Sequence, residues 1–268
     1  MKKIGFIGSG QMAKALGVGI AQSYADQVEF QIADPSDDAC LSFEAMVGQY
    51  TTVSRATSNQ EVAEHCDVVF LAVKPQFLNS ALHTVSWKET GPLIVSIIAG
   101  VGTLQLERIT GSDRIIRVMP NTPCLIGQGA SAIAVSDSHS PEDVETVRGY
   151  LEAVGKVVTV EESMLDSVTG LSGSGPAYVF SFIEALIDGA VLTGMARSTA
   201  RELAVQTVIG ASMMVEQTGE HTAVLRDRVT SPGGTTIAGL KALEENAFRD
   251  SIMSAVHAAT DRSMDLGD

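Results

Sequence analysis

Basic side chains are scarce in this sequence: 18 Lys and Arg stand against 32 Asp and Glu. A nucleic-acid surface needs a basic face, so that class of partner is not expected. Any anion must instead be held by local devices, such as helix N-termini and turns of backbone N–H groups. Cysteines are few, odd in number and far apart, at Cys40, Cys66 and Cys124. No CxxC pair and no His and Cys cluster has zinc-ligand spacing, so neither a disulfide framework nor a metal site is expected. Long apolar runs are missing too. Residues 4–7 are far too few for a signal peptide, and no run approaches the ~18 apolar residues of a membrane span. The expectation is a cytoplasmic protein with no membrane or nucleic-acid partner.

What is present is an ordinary globular composition, 45 % hydrophobic and 19 % charged over 268 residues. A typical domain of about 100–200 residues makes two domains the expectation. Through the first half, β-branched runs at 3–7, 28–33, 52–53, 67–73, 92–98 and 114–119 read as strands. Helical patterns at 11–23, 37–49, 59–65, 77–86 and 104–109 alternate with them. Near-continuous apolar runs such as DVVFLAV suit strands covered on both faces, as in a parallel sheet with right-handed crossovers. Two further strands, 129–135 and 156–160, flank a helix at 141–153, with Ser140 as N-cap and Pro141 at its first position. After about Glu161 strand signals stop, and 176–193, 198–218, 223–229, 236–246 and 248–266 carry helical periodicity. The predicted class is α/β. A Rossmann-type doubly wound parallel sheet occupies 1–161, and an all-helical dimerisation domain occupies 162–268.

The first strand runs straight into Gly8-Ser9-Gly10-Gln11-Met12-Ala13 and then a helix. This is GxGxxA, a form that the dinucleotide fingerprint accepts. Gly8 permits the tight turn, Gly10 lets the backbone approach a pyrophosphate, and Ala13 keeps the helix close to the sheet. The pyrophosphate would sit on the helix N-terminus, with Ile7, Gly8, Gly10, Gln11 and Met12 around it. A carboxylate about 20 residues beyond the glycines normally accepts from the ribose 2′-OH of NAD, and Asp34 ends the second strand. Asp34 therefore leans towards NADH. Against that, Ser36 can donate to a phosphate and Arg55 is within reach from the next turn, while Asp34 also reads as a turn cap before Pro35. Ala72-Val73-Lys74-Pro75 and Ala99 end later strands and would flank the nicotinamide ribose, with Lys74 placed to orient a hydroxyl.

The most specific stretch is LRDRVTSPGGTTIAGLKALE at residues 225–244. Together with GFIGSGQMA near the start, LAVKPQ at 71–76, RVMPNTP at 117–123 and LSGSGPAY at 171–178, it resembles the pyrroline-5-carboxylate reductase family over almost the whole chain. The resemblance implies reduction of L-1-pyrroline-5-carboxylate to L-proline with NADPH or NADH. It implies a Rossmann domain followed by a helical domain that interlocks with a partner's into a homodimer, with dimers often assembling into decamers. It places Ser231, Gly234, Thr235 and Thr236 at the substrate, with Thr236 near the ring nitrogen as the catalytic hydroxyl. Glu162 is carried over as a further substrate contact, beside its plain reading as a surface carboxylate, and Asn59 as a position near the adenosine ribose. The chain departs from the family at Arg228, where an Asn beside the cofactor is common.

The residue chemistry agrees with that assignment. Ser231 to Thr236 open a helix with hydroxyls and N–H groups, a neutral anion nest for a carboxylate. None of the five histidines, His65, His83, His139, His221 and His257, sits in a catalytic-looking motif. A ketone reductase needs an acid for the developing alkoxide, whereas hydride transfer to a protonated imine yields a neutral amine directly. One rival is a β-hydroxyacid dehydrogenase, but residues 171–187 lack the lysine such enzymes place on their interdomain helix. A second rival is a nucleotide sensor that keeps the fold without turnover.

Overall fold

The computed structural model describes residues 1–88 and 91–267. Glu89, Thr90 and Asp268, the last residue of the expected second domain, lie outside the described residues. Two compact units result, Met1–Ser174 with His257–Asp268, and Gly175–Val256.

In the first unit, β1 (Lys2–Ile7), β2 (Val28–Ala33), β3 (Val53–Arg55), β4 (Val68–Leu71), β5 (Leu93–Ser96), β6 (Ile115–Met119), β7 (Gly129–Ala134) and β8 (Gly155–Val160) form one sheet. Its order is β3-β2-β1-β4-β5-β6-β7-β8. Interleaved with the strands are α1 (Gln11–Tyr24), α2 (Asp37–Val47), α3 (Asn59–His65), α4 (Leu78–Leu82), α5 (Thr103–Thr110) and α6 (Pro141–Glu152). The apolar strands bury both faces, which is why they read as continuous hydrophobic runs. On one face Phe6, Phe30 and Phe70 meet Leu16 and Ile20 of α1, Phe43 of α2 and Leu151 of α6. On the other, Ile7, Val69, Leu71 and Ile94 meet Val62 of α3, Leu78 and Leu82 of α4 and Leu106 of α5. Phe6 and Phe70 stack at 4.9 Å, and full burial of such a ring contributes about 1.5–3 kcal/mol.

Pairing is parallel except between β6 and β7, which run antiparallel. Periodicity does not encode direction, but loop length does. The connection 120–128, carrying a 3-10 turn at Thr122–Ile126, is too short for a crossover helix. The strand read at 67–73 is confined to Val68–Leu71, although the Asp67 and Ala72 N–H groups still donate to the Lys3 and Ile7 carbonyls of β1 at its two ends. The helix read at 77–86 stops at Leu82. Ser140 holds the N-cap position of α6 as expected, but its side chain makes no capping bond.

After β8 the chain enters α7 (Leu165–Val168), a π turn at Thr169–Gly173, and then α8 (Gly175–Leu192). Helical structure thus begins earlier than the sequence indicated. An 18-residue window within Glu162–Leu192 has a mean hydropathy of 1.4 and none of it is buried. By length and composition that stretch is long and apolar enough to cross a membrane, although no uninterrupted apolar run of that length exists in it.

The second unit is helical: α8, α9 (Arg197–Thr218), α10 (Thr222–Arg228), α11 (Thr235–Glu245) and the first half of α12 (Phe248–Asp265). Tyr178 donates to the Ala255 carbonyl (3.2 Å), and the Phe182 and Phe248 rings lie 5.9 Å apart. Among the described residues only Ala200, Ala204 and Leu225 are buried apolar side chains there, while Phe180 is 65 % exposed. The end of α12 belongs to the first unit, where Ser263 donates to Asp166 Oδ1 (2.6 Å).

Candidate functional site

The turn between β1 and α1 is built by glycine. Gly8 has φ +96°, and a Cβ there would fall 2.7 Å from the Ala72 carbonyl oxygen, so both conformation and space demand glycine. A Cβ at Gly10 would meet nothing within 4 Å, so the backbone there faces open space. No side chain caps α1 and no carboxylate stands in its first turn. Its leading N–H groups are therefore free for an anion, and the helix dipole favours one. The residues present fit a pyrophosphate.

A cleft of about 870 Å³ opens beside this turn. It brings together Ile7, Gly8, Gly10, Asp34, Ser36, Asn59, Ala72, Val73 and Lys74 from the sequence-derived set, along the carboxyl ends of β1, β2 and β4. Gln11, Met12, Pro75 and Ala99 are not among its lining residues. Pro35, Ala39, Ala56, Thr57, Ser58, Phe77, Ser80 and Ala81 line it too and were not anticipated. Their common origin is the stretch following each strand end, the signal by which the sequence could have revealed them. Asp34 accepts from the Ser9 N–H at Oδ2 and from the Ser36 N–H at Oδ1, both 2.8 Å, so it is a turn cap and a cleft residue at once. Asn59 donates from Nδ2 to the Ala81 carbonyl (2.8 Å). Arg55 donates to Glu44 instead of reaching into the cleft.

Ala99 precedes a tight turn at Gly100, which has φ +77° and packs against the Ser263 backbone near the C-terminus. The far side of the same loop is held by Glu162. Its Oε1 accepts from the Thr103 N–H (2.6 Å), the Thr103 hydroxyl (2.8 Å) and Arg117 Nη1 (2.8 Å). Burial opposes charge on Glu162, but the bonds from Arg117 and Thr103 outweigh it and hold the carboxyl below its ordinary value. Arg117 and Thr103 were missed in the sequence, although an arginine inside an apolar strand calls for a buried acidic partner.

In the second unit Ser231, Gly234, Thr235 and Thr236 share one turn. Gly234 donates to the Ser231 carbonyl (3.0 Å) and is the N-cap of α11, which has neither a side-chain cap nor an acidic first turn. Thr236 is half-buried and Ser231 and Thr235 are exposed. Arg228 forms a two-pronged pair with Glu220, one prong at 2.7 Å. Among the described residues no cluster of three His, Cys, Asp or Glu side chains is placed to hold a metal.

A glycine turn feeding an uncapped helix at the carboxyl end of the interior strand β1, with a carboxylate at the end of β2, defines a dinucleotide-binding protein of the Rossmann class. Residues 3–100 match the family model "NADP oxidoreductase coenzyme F420-dependent", and residues 162–266 match "Pyrroline-5-carboxylate reductase dimerisation". The chain is 42 % identical to the pyrroline-5-carboxylate reductases of Arabidopsis thaliana (98 % of this chain, 95 % of that protein) and Escherichia coli (99 % and 98 %). The Plasmodium falciparum enzyme solved with NADP bound matches with a TM-score of 0.88 at 36 % identity, covering 100 % of this chain and 98 % of that one. This chain belongs to the pyrroline-5-carboxylate reductase family.

Proposed function

We propose that this protein reduces L-1-pyrroline-5-carboxylate to L-proline with NADPH or NADH, the last step of proline biosynthesis. One observation carries the reading: in an acidic chain, α1 and α11 each open at a glycine N-cap, with no side-chain cap and no acidic residue in the first turn. One suits a pyrophosphate and the other a small carboxylate, each without a basic side chain. In this reading Ile7, Gly8, Gly10, Gln11 and Met12 hold the pyrophosphate. Asp34, Ser36 and Asn59 face the adenosine ribose, and Ala72, Val73, Lys74, Pro75 and Ala99 flank the nicotinamide ribose. Ser231, Gly234, Thr235 and Thr236 bind the substrate carboxylate.

When bound, the dinucleotide supplies hydride from its nicotinamide ring. The chain's part is positioning and exclusion of water. Thr236 places its hydroxyl at the ring nitrogen, where it holds the imine proton. Because reduction of a protonated imine leaves a neutral amine, no further acid is required. The bonds described for Glu162 all use Oε1, which leaves Oε2 for the substrate.

The helical module that works with this site is taken as 162–268, and the sheet module as 1–161. The exposed apolar surface of α8 and α9 is covered, in this reading, by a second copy in a homodimer, with dimers assembling further into decamers. The same cover accounts for the apolar stretch Glu162–Leu192 without a membrane, and the protein is placed in the cytoplasm with no nucleic-acid partner. Sedimentation of detergent-free protein should give at least twice the 28.1 kDa chain mass. A stable monomer, or a need for detergent, would overturn the assembly.

The deciding assay is loss of reduced-nicotinamide absorbance after adding pyrroline-5-carboxylate, with NADH and NADPH in parallel. Rapid oxidation with either is expected. No oxidation by folded protein that binds dinucleotide would favour the sensor reading, for which proline would also give no thermal protection in the presence of the oxidised cofactor.

A further inference from the structure

NADH and NADPH differ by one phosphate on the adenosine ribose, and the cleft is built asymmetrically at that end. Asp34 is fixed there by the Ser9 and Ser36 N–H groups at 2.8 Å. Each carboxylate oxygen keeps a further lone pair, so the group can still accept from ribose hydroxyls. The adjoining N-terminus of α2 is closed to anions, in contrast with α1. Ser36 Oγ caps it by accepting from the Ala39 N–H (3.2 Å), and Asp37 and Asp38 occupy its first turn. A phosphate on the 2′ position would therefore approach Asp34 of the cleft wall beside a helix start that is already capped and acidic.

The cation that could offset them is withdrawn. Arg55 ends β3, next to Ala56 and Thr57 of the cleft wall. Its Nε donates to Glu44 Oε1 (2.5 Å) and its Nη2 to Oε2 (2.8 Å), while Nη1 lies 3.5 Å from Asp37. A bidentate guanidinium–carboxylate pair fixes direction as well as distance. Lys74 is the one cation among the described lining residues, and it lies beyond β4. With β1 between β4 and β2, it is about two strand spacings, or ~10 Å, from Asp34.

We propose that this chain selects NADH over NADPH, and that Glu44 enforces the selection by holding Arg55 away from the ribose 2′ position. The inference rests on the dinucleotide reading of the cleft, not on the identity of the imine. It sets the chain apart from the Plasmodium falciparum relative, whose structure holds NADP.

The test is equilibrium binding of NADH and NADPH to the full-length protein without substrate, comparing wild type with Glu44→Gln, Arg55→Ala and the double variant. In wild type the Kd for NADPH should exceed that for NADH by roughly tenfold or more. Glu44→Gln should lower the NADPH Kd severalfold and leave NADH nearly unchanged, because the freed Arg55 then meets the phosphate. Arg55→Ala alone should alter neither, and adding it to Glu44→Gln should cancel the gain. Tighter or equal NADPH binding in wild type would overturn the proposal. So would a selective loss of NADPH affinity in Arg55→Ala, or an unchanged NADPH Kd in Glu44→Gln. Selective NADH binding without its oxidation by the imine would sink the proposed reaction and still support this selection.

Discussion

The carboxylate of Asp34 accepts the backbone N–H of Ser9 at 2.8 Å, tying the turn after β1 to the turn after β2. A second bond, from the Ser36 N–H to the other oxygen, fixes the group from its own side. Backbone donors to a carboxylate are charge-assisted and stronger than neutral ones. Asp34→Ala should therefore lower stability by about 1–3 kcal/mol, seen as a lower urea midpoint with an unchanged slope. It should also weaken NADH more than NADPH, since a ribose acceptor is lost together with a charge that repels phosphate. A variant as stable as wild type would show that the tie has no energetic weight.

Gly8 and Gly10 should respond differently to the same added methyl group. At Gly8 an alanine must accept φ +96° and a carbonyl oxygen 2.7 Å away, so Gly8→Ala should destabilise by about 1–3 kcal/mol. At Gly10 the conformation is ordinary and the space empty, so Gly10→Ala should keep its melting temperature while losing cofactor affinity by roughly tenfold. Thermal melts and binding titrations on the pair separate the two roles. Equal melting temperatures, or an unchanged Kd for Gly10→Ala, would refute the division.

Much of this was legible in the sequence because the relevant signals are local. The bounds of β2 and α3 read to the residue from the sequence pattern, and the fold shows Ser58 capping the start of α3. Gly8 and Gly10 announced the turn by their spacing. What escaped depended on partners far along the chain. In the sequence Arg55 stands within reach of the cofactor, and only the fold shows Glu44 engaging it from α2. Asp34 has two readings in the sequence, turn cap and ribose acceptor; the fold shows the cap, through the Ser9 and Ser36 N–H groups, and places the residue on the cleft wall. The π turn at Thr169–Gly173 left no mark, because Thr-Gly-Leu-Ser-Gly is equally at home in a loop.

Glu162 links the loop after β5 to the middle of the sheet, and its role should show in acid. Burial disfavours the ionised form, yet hydrogen bonds from Arg117 and Thr103 win and lower the folded value below the ordinary 4.5. A lowered folded value means stability that is complete above the ordinary value and lost as pH falls below it, through the folded value. Glu162→Gln should flatten that acid limb in denaturant titrations below about pH 5. At neutral pH it should cost about 1–3 kcal/mol, because Arg117, 7 % exposed, loses its partner. The figure stays low because Glu162 is 41 % exposed and screened. An acid limb identical in both proteins would assign the stability to other carboxylates.

Thr236 is the test of the chemistry itself. It sits in the first turn of α11, behind the Gly234 N-cap, with no charged residue in that turn to take over its role. In the proposed reaction its hydroxyl meets the imine nitrogen, whose proton passes from an iminium to an amine as hydride arrives. A hydrogen bond to a charged group contributes about 1.5–3 kcal/mol, so Thr236→Ala should lower kcat/KM by roughly 10- to 100-fold. Dinucleotide binding should be untouched, because the residues assigned to the cofactor lie in the sheet unit. Thr236→Ser keeps the hydroxyl and should recover most of the loss, which a purely packing role of the methyl group would not allow. If stopped-flow traces showed normal hydride transfer in Thr236→Ala while NADH titrations showed weakened binding, the assignment of Thr236 to the substrate would be wrong.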